Sequence, residues 1–337
     1  MRLGSLSRFV TQGIIGVSVM FVPVVQSAAQ TPSAALSNPT AEDIVVVAQR
    51  SGIPVWHVTG PRATVVLVGS IGRVAPGTRW DPVSLDVALA KADRVMFPEK
   101  MDISLGLFSF IGVVGKWRKQ ASLPDGQTLQ AMTTPAQWAR LVALRDRGIL
   151  KPGFERKHPY HLAMTLNGLT RDRRKLDPGA DAYVRRFLGK NKAKQVALEQ
   201  GNLKDFTAEF FGSAPRTHVA CLMDAVMLVE TGAAGIQARA NVRDARSAAW
   251  AARRIPDALA ARADNGQRLC WPRGSRLEQA RDASLGPKIH SLMNSPQVTL
   301  AVMSLDTLAE PGGVLDDLVA AGFDVRGPRW KRQDVTP

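Results

Sequence analysis

The sequence predicts an α/β fold: a mixed, mainly parallel sheet built from two β-α-β halves, with a largely helical insert between them. Three observations carry that prediction. An apolar strand–helix–strand run occupies residues 63–99, a second occupies 297–330, and from about 134 to 254 the apolar spacing is mostly helical. With 337 residues the chain is long enough to bury a large core. Its 45% hydrophobic and 22% charged residues exclude wholesale disorder.

The elements follow in order. Arg2 and Arg8 precede the 13-residue apolar run "GIIGVSVMFVPVV" (13–25) and then "QSAAQ", the pattern of a secretory signal peptide cleaved near Ala29. The run falls short of the ~20 residues that span a bilayer. Residues 30–41 read as a flexible lead-in, 42–330 as one domain and 331–337 as a tail. Residues 54–59 and 63–69, joined by a short "GPR" turn, predict a hairpin into the first core strand. "DPVSLDVALAKA" (81–92) has helical spacing, with Asp81 as N-cap and Pro82 in the first turn. "DRVMFPE" (93–99) is the next strand, so the order β-α-β argues for parallel pairing.

"ISLGLFSFIGVVG" (103–115) is the greasiest stretch after the leader, fit for a buried or groove-lining segment. "SLPDGQTL" (122–129) is a turn and 134–148 a capped helix. Helical patterns cover 155–169 and 178–191, a short strand covers 194–199, and helices resume to about 254. Residues 276–294 are helical, with Pro287 as a kink point. Then come a buried strand (297–306), a helix (312–323) and a final strand (324–330).

Charge narrows the function classes. The formal net charge is +15, and +13 without residues 1–29. For an exported, periplasmic protein this favours anionic envelope components, acidic peptides or peripheral contact with a membrane surface. Nucleic acid fits the charge but not the address, and "RDRRK" (171–175) lacks the interleaved aromatics that stack bases. Two cysteines, Cys221 and Cys270, either form one disulfide in an oxidising compartment or stay as two buried thiols.

Seven pieces match a known family in order: "VWHVTG…ATVVLVGSI" (55–71), "ALAKADRVMFPE" (88–99), "LPDGQTL" (123–129), "GADAYV" (179–184), "VALE" (196–199), "RDASLGPKI" (281–289) and "LDDLVAAGFDV" (315–325). On these the chain resembles the TraB/PrgY/GumN family, in particular its exported GumN-like members. The resemblance implies an α/β fold shared with Tiki metalloproteases and with erythromycin-esterase-like and ChaN-like proteins. It also implies two Gly-x-x-His motifs at the ends of two core strands, which with a glutamate would form a metal-dependent hydrolytic centre. Imidazoles at neighbouring strand ends can hold a divalent ion and leave a position open for water.

This chain departs from the pattern at both motifs. The first reads Gly69-Ser70-Ile71-Gly72, and the second reads Met303-Ser304-Leu305-Asp306, so both imidazoles are absent. Glu99 matches the family glutamate, Glu199 its "LE", Asp181 its acidic position after glycine, and Arg281 its arginine. Asp306 stands where the second histidine would, and a carboxylate can ligate a hard cation. The expectation is therefore a pocket at Gly69, Ser70, Asp181 and Asp306, with Glu99, Glu199 and Arg281 as the remaining polar machinery. Two readings compete there: a carboxylate-based site for a divalent metal, or a charge-balanced polar centre with no cofactor in which Arg281 forks onto a carboxylate. Without an imidazole the set is poor for zinc.

Elsewhere, His158 and His161 are spaced to share a helix face, while His57, His218 and His290 stand singly. Neither a G-x-S-x-G elbow nor a phosphate-binding Gly-rich loop occurs, and no histidine has a context marking it as a base for Ser70. The expected function is a periplasmic family member whose hydrolase-like centre is degenerate and serves binding or envelope association. The alternatives are a metal-dependent peptidase or esterase with an altered site, and a basic adaptor at a membrane surface.

Overall fold

The structure is a computed structural model that describes residues 40–60, 62–97, 121–170, 174–196, 212–262, 270 and 285–332. The run expected to be a signal peptide, the 103–115 segment, Glu99, Glu199 and Arg281 lie outside the described residues.

The sheet begins where the sequence places it. β1 (Val55–Thr59) and β2 (Thr64–Ser70) pair antiparallel, from Val55 opposite Val68 to Thr59 opposite Thr64. The turn is closed by the Gly60 N–H donating to Ala63 O at 2.9 Å. Apolar residues at both faces of β2 bury Val65 to Val68 completely. Such a strand belongs inside a sheet covered on both sides.

Its other neighbour is β7 (Thr299–Ser304), in parallel register from Val65 opposite Thr299 to Ser70 opposite Ser304. Beyond β7 lie β4 (Arg94–Met96) and β6 (Gln195–Val196), both parallel to it. β8 (Asp324–Arg326) pairs antiparallel with β1 and closes the far edge. Among the described residues the order is β6-β4-β7-β2-β1-β8, and β1 alone runs against the rest, while β3 (Arg73–Val74) and β5 (Asp177–Pro178) pair antiparallel in a separate two-stranded ribbon. The mixed, mainly parallel sheet is as expected, but each half has its strands split: β7 enters between β2 and β4, and β2 and β1 lie between β7 and β8.

The helices that cover this sheet start on side-chain caps. Asp81 accepts from the N–H groups of Val83 and Ser84, and the helix Pro82–Lys91 buries Leu85, Ala88 and Leu89. A helix not expected from the sequence, Ala41–Arg50, begins at the last residue of the anticipated lead-in, on a Thr40–Asp43 capping box, and buries Ile44, Val45 and Ala48. Burying one such leucine or isoleucine contributes about 1.5–3 kcal/mol. Residues 285–292 are helical, and the helix Val314–Ala320 returns the chain to β8. The final strand stops at Arg326, short of the expected 330.

The insert has a core of its own. The helices Pro135–Asp146 and Pro159–Leu169 and the start of Val219–Ala251 enclose Leu141, Leu144, Phe154, Leu166, Leu222 and Val226. A disulfide joins Cys221 to Cys270 inside that cluster.

Val219–Ala251 is not one straight rod. Gly232 has φ +57° and ψ −135°, outside any helix. Asp224 forms an ion pair with Arg239 across that point. In a straight helix, residues that far apart would be separated by roughly 22 Å. The backbone therefore doubles back at Gly232 into a helical hairpin, with Val219, Leu222, Ala225 and Val226 of the first arm in the insert core and Ala249 and Trp250 of the second in the sheet core. The segment Pro215–Ala251 is long and apolar enough by composition to cross a membrane, with 39% of its most apolar window buried. The break at Gly232 divides it.

Candidate functional site at the paired strand ends

β2 and β7 end abreast, Ser70 opposite Ser304, so the two motif positions do meet at one edge of the sheet. Gly69 is a glycine because nothing larger fits. A Cβ there would lie 2.9 Å from both Leu305 Cδ1 and Trp56 Cζ3. Its carbonyl accepts from Trp250 Nε1 at 2.8 Å, which seats the second arm of the helical hairpin on the strand end. Ser70 is 2% exposed, and its hydroxyl has no hydrogen-bond partner among the described residues.

The chain then turns out through Ile71 and Gly72. Gly179 donates its N–H to Gly72 O at 3.3 Å, and a side chain on Gly179 would collide with the Ile71 carbonyl. That close approach fixes the start of the helix Ala180–Lys190 against the turn. Asp181, in its first turn, comes with it. A Cβ on Gly72 would stand 3.4 Å from Asp181 Oδ2. Asp181 thus faces the position where the first imidazole would be.

The second motif is organised differently. Asp306 lies in the first turn of the helix Leu305–Ala309 rather than at the strand end expected of it. Its Oδ1 is 2.7 Å from Arg246 Nη2 and 2.7 Å from Arg262 Nη2. Arg262 also pairs with Glu310. All four side chains are sheltered, between 17% and 30% exposed. One residue on, Ser247 Oγ accepts from the Ala75 N–H at 2.9 Å and donates to Arg243 O at 2.8 Å. Arg246, Ser247 and Trp250 all come from the second arm of the hairpin, and sequence reasoning singled out none of them. Their spacing would have placed them on one helix face, but only the doubled-back backbone aims that face at the strand ends.

The donor set does not suit a metal ion. Gly72 offers no ligand, and Asp306 is already held by two guanidiniums, groups that stay charged at any ordinary pH. Among the described residues no group of three or more His, Cys, Asp or Glu side chains could hold a metal. Of the expected site residues, Gly69, Ser70, Asp181 and Asp306 are described. The first three gather at the β2 end, and Asp306 joins an arginine network beside it. Arg246 and Arg262 make that network; the part expected of Arg281 lies outside the described residues.

The paired histidines do not come to the strand ends. His158 caps the helix Pro159–Leu169, its Nδ1 accepting from the Tyr160 N–H at 3.2 Å. Its ring centroid lies 6.4 Å from that of His161 and 5.2 Å from that of His218. Burial, reinforced by His218 and then His161, pushes the His158 imidazole down to about 4. His218 is itself held below its usual range, chiefly by burial, against the opposing bond to Cys270.

A family model described as the TraB/PrgY/gumN family matches residues 54–327. Neither a curated protein nor a solved structure matches the chain.

Proposed function

Since the chain belongs to the TraB/PrgY/gumN family over nearly all of its described fold, we propose that its strand-end centre retains a hydrolase scaffold without the metal chemistry. On this reading the protein is a periplasmic, envelope-associated binding protein. The observation that carries it is Asp306 under Arg246 and Arg262. A divalent cation approaching that carboxylate would meet two fixed positive charges only a few ångströms away. At that range each repulsion costs several kcal/mol at a protein-like dielectric. The missing imidazole at Gly72 removes the other ligand the family pattern supplies.

The basic start followed by a short apolar run supports export, and the +13 charge left after its removal supports an anionic partner. Acidic peptides and anionic envelope polymers share that chemistry.

The test is calorimetric. Titration of the purified protein with Zn²⁺, Mn²⁺ and Ca²⁺ at neutral pH is expected to give no stoichiometric binding, and EDTA is expected to leave any ester or peptide cleavage unchanged. One tightly bound ion, released on Asp306→Ala, would overturn the reading in favour of an altered metallohydrolase.

A further inference from the structure

We propose that Ser213 and His218, in the helical insert and remote in sequence from both family motifs, form a nucleophile–base pair that hydrolyses carboxylic esters without a metal. Ser213 Oγ and His218 Nε2 are 2.8 Å apart, and His218 Nδ1 is 3.0 Å from the Cys270 carbonyl oxygen. These are the two contacts a nucleophile–base–orienter arrangement requires.

The direction of both hydrogen bonds follows from the carbonyl. A carbonyl oxygen can only accept, so Nδ1 carries the proton and donates it. Nε2 of the neutral ring is then left with its lone pair, and it accepts from the Ser213 hydroxyl. That is the tautomer a general base needs, fixed by a backbone group in the place a carboxylate takes elsewhere. Burial of His218, which is fully shielded from solvent, keeps the ring neutral near pH 7 and supports the same assignment.

The surroundings hold this geometry. The Cys221–Cys270 disulfide ties the residue that supplies the carbonyl to the first turn of the helix that His218 precedes. Tyr160 packs against the imidazole at a centroid distance of 5.7 Å and His158 at 5.2 Å. Ser213 is half-buried and follows the exposed Gly212, while His218 behind it is fully buried.

The chemistry balances with water as the second reactant. Ser213 Oγ bonds to the ester carbonyl carbon as its proton passes to His218 Nε2. The bond to the alkoxy oxygen breaks, and the alcohol leaves with that proton. A water molecule then gives a proton to Nε2 and adds its oxygen to the acyl carbon. The acid departs, and the Ser213 oxygen regains the proton from the imidazole. Ser213 and His218 are the catalytic residues, and the Cys270 carbonyl is a positioning group.

A fluorophosphonate probe tests the nucleophile. In the purified protein it should form an adduct at Ser213, located by peptide mass spectrometry, with EDTA having no effect. Ser213→Ala should abolish the adduct, and His218→Gln should slow it by at least about a hundredfold. No adduct at Ser213 in folded protein, or an equal rate in His218→Gln, would overturn the proposal. Since replacing a fully buried imidazole can unfold the insert, a second variant keeps the base in place. Ser213→Cys should react with iodoacetamide at pH 6.5 about tenfold faster than a free thiol, because the imidazole draws off its proton. A rate at or below that of the free thiol would refute the pairing. The positioning role has its own signature: nitrogen-15 spectra should show His218 protonated at Nδ1, and protonation at Nε2 would sink it. Insensitivity to EDTA separates this activity from any metal-dependent cleavage at the strand ends, so the two proposals fail independently.

Discussion

Gly69 shows how tightly a single residue can be fixed. Its missing side chain lets the Trp56 indole and the Leu305 side chain close over the end of β2, while its carbonyl holds the Trp250 indole N–H. Gly69→Ala is therefore expected to destabilise the protein by about 1–3 kcal/mol, the usual cost of overpacking a dense core. Urea denaturation with an unchanged slope would measure it, and a loss under half a kcal/mol would show that the contact relaxes freely. At this scale the sequence was legible where a motif named the position. Gly72 and Asp306 stood out because an imidazole was expected at each. The partners of Asp306 were not legible: Arg246 and Arg262 lie 60 and 44 residues away in the chain, and no local pattern links a carboxylate to guanidiniums that distant.

At the scale of elements, helices announced themselves through caps and spacing, as with Asp81 before Pro82 and Thr134 before Pro135. The hairpin in Val219–Ala251 did not. Apolar periodicity continues on either side of Gly232, and a positive φ at one glycine leaves no mark on it. The two cysteines could be weighed but not paired from sequence, because pairing depends on how the insert packs. The histidine cluster in that insert makes its stability pH-dependent. His158 titrates near 6.5 in the unfolded chain but is held to about 4 when folded. Between those values the unfolded chain binds the extra proton, so stability falls as pH drops from about 6.5 towards 4, and this group has no effect above 6.5. His161 and His218 face it and Tyr160 donates its backbone N–H to it, and among these described neighbours none supplies a compensating negative charge at that pH. The urea midpoint should therefore be lower at pH 4.5 than at pH 7. His158→Asn, which keeps a cap acceptor and removes the titration, should shrink that difference. An identical difference in the variant would assign the pH dependence elsewhere.

For the whole molecule, the two strand–helix–strand runs and the helical spacing between them pointed to the α/β class with two β-α-β halves and a helical insert, and the sheet agrees with it. Strand order was out of reach, because β7 slots between β2 and β4 and each of those short apolar runs could equally have paired with its nearest neighbour in sequence. The insert's separate core, joined to the sheet core by the helical hairpin, was hidden for the same reason.

That strand order constrains how the polypeptide acquires its shape. The middle of the sheet is residues 65–70 lying against 299–304, so a nascent chain keeps Val66 and Val68 without their mate until about 230 further residues have emerged. Contacts so remote along the chain make folding slow, and the waiting apolar strand is open to misassociation. A version ending at residue 295 should show no cooperative melting and should be digested rapidly by trypsin, whereas one ending at residue 332 should resist. Late closure of this kind keeps the polypeptide loose for as long as it is being made.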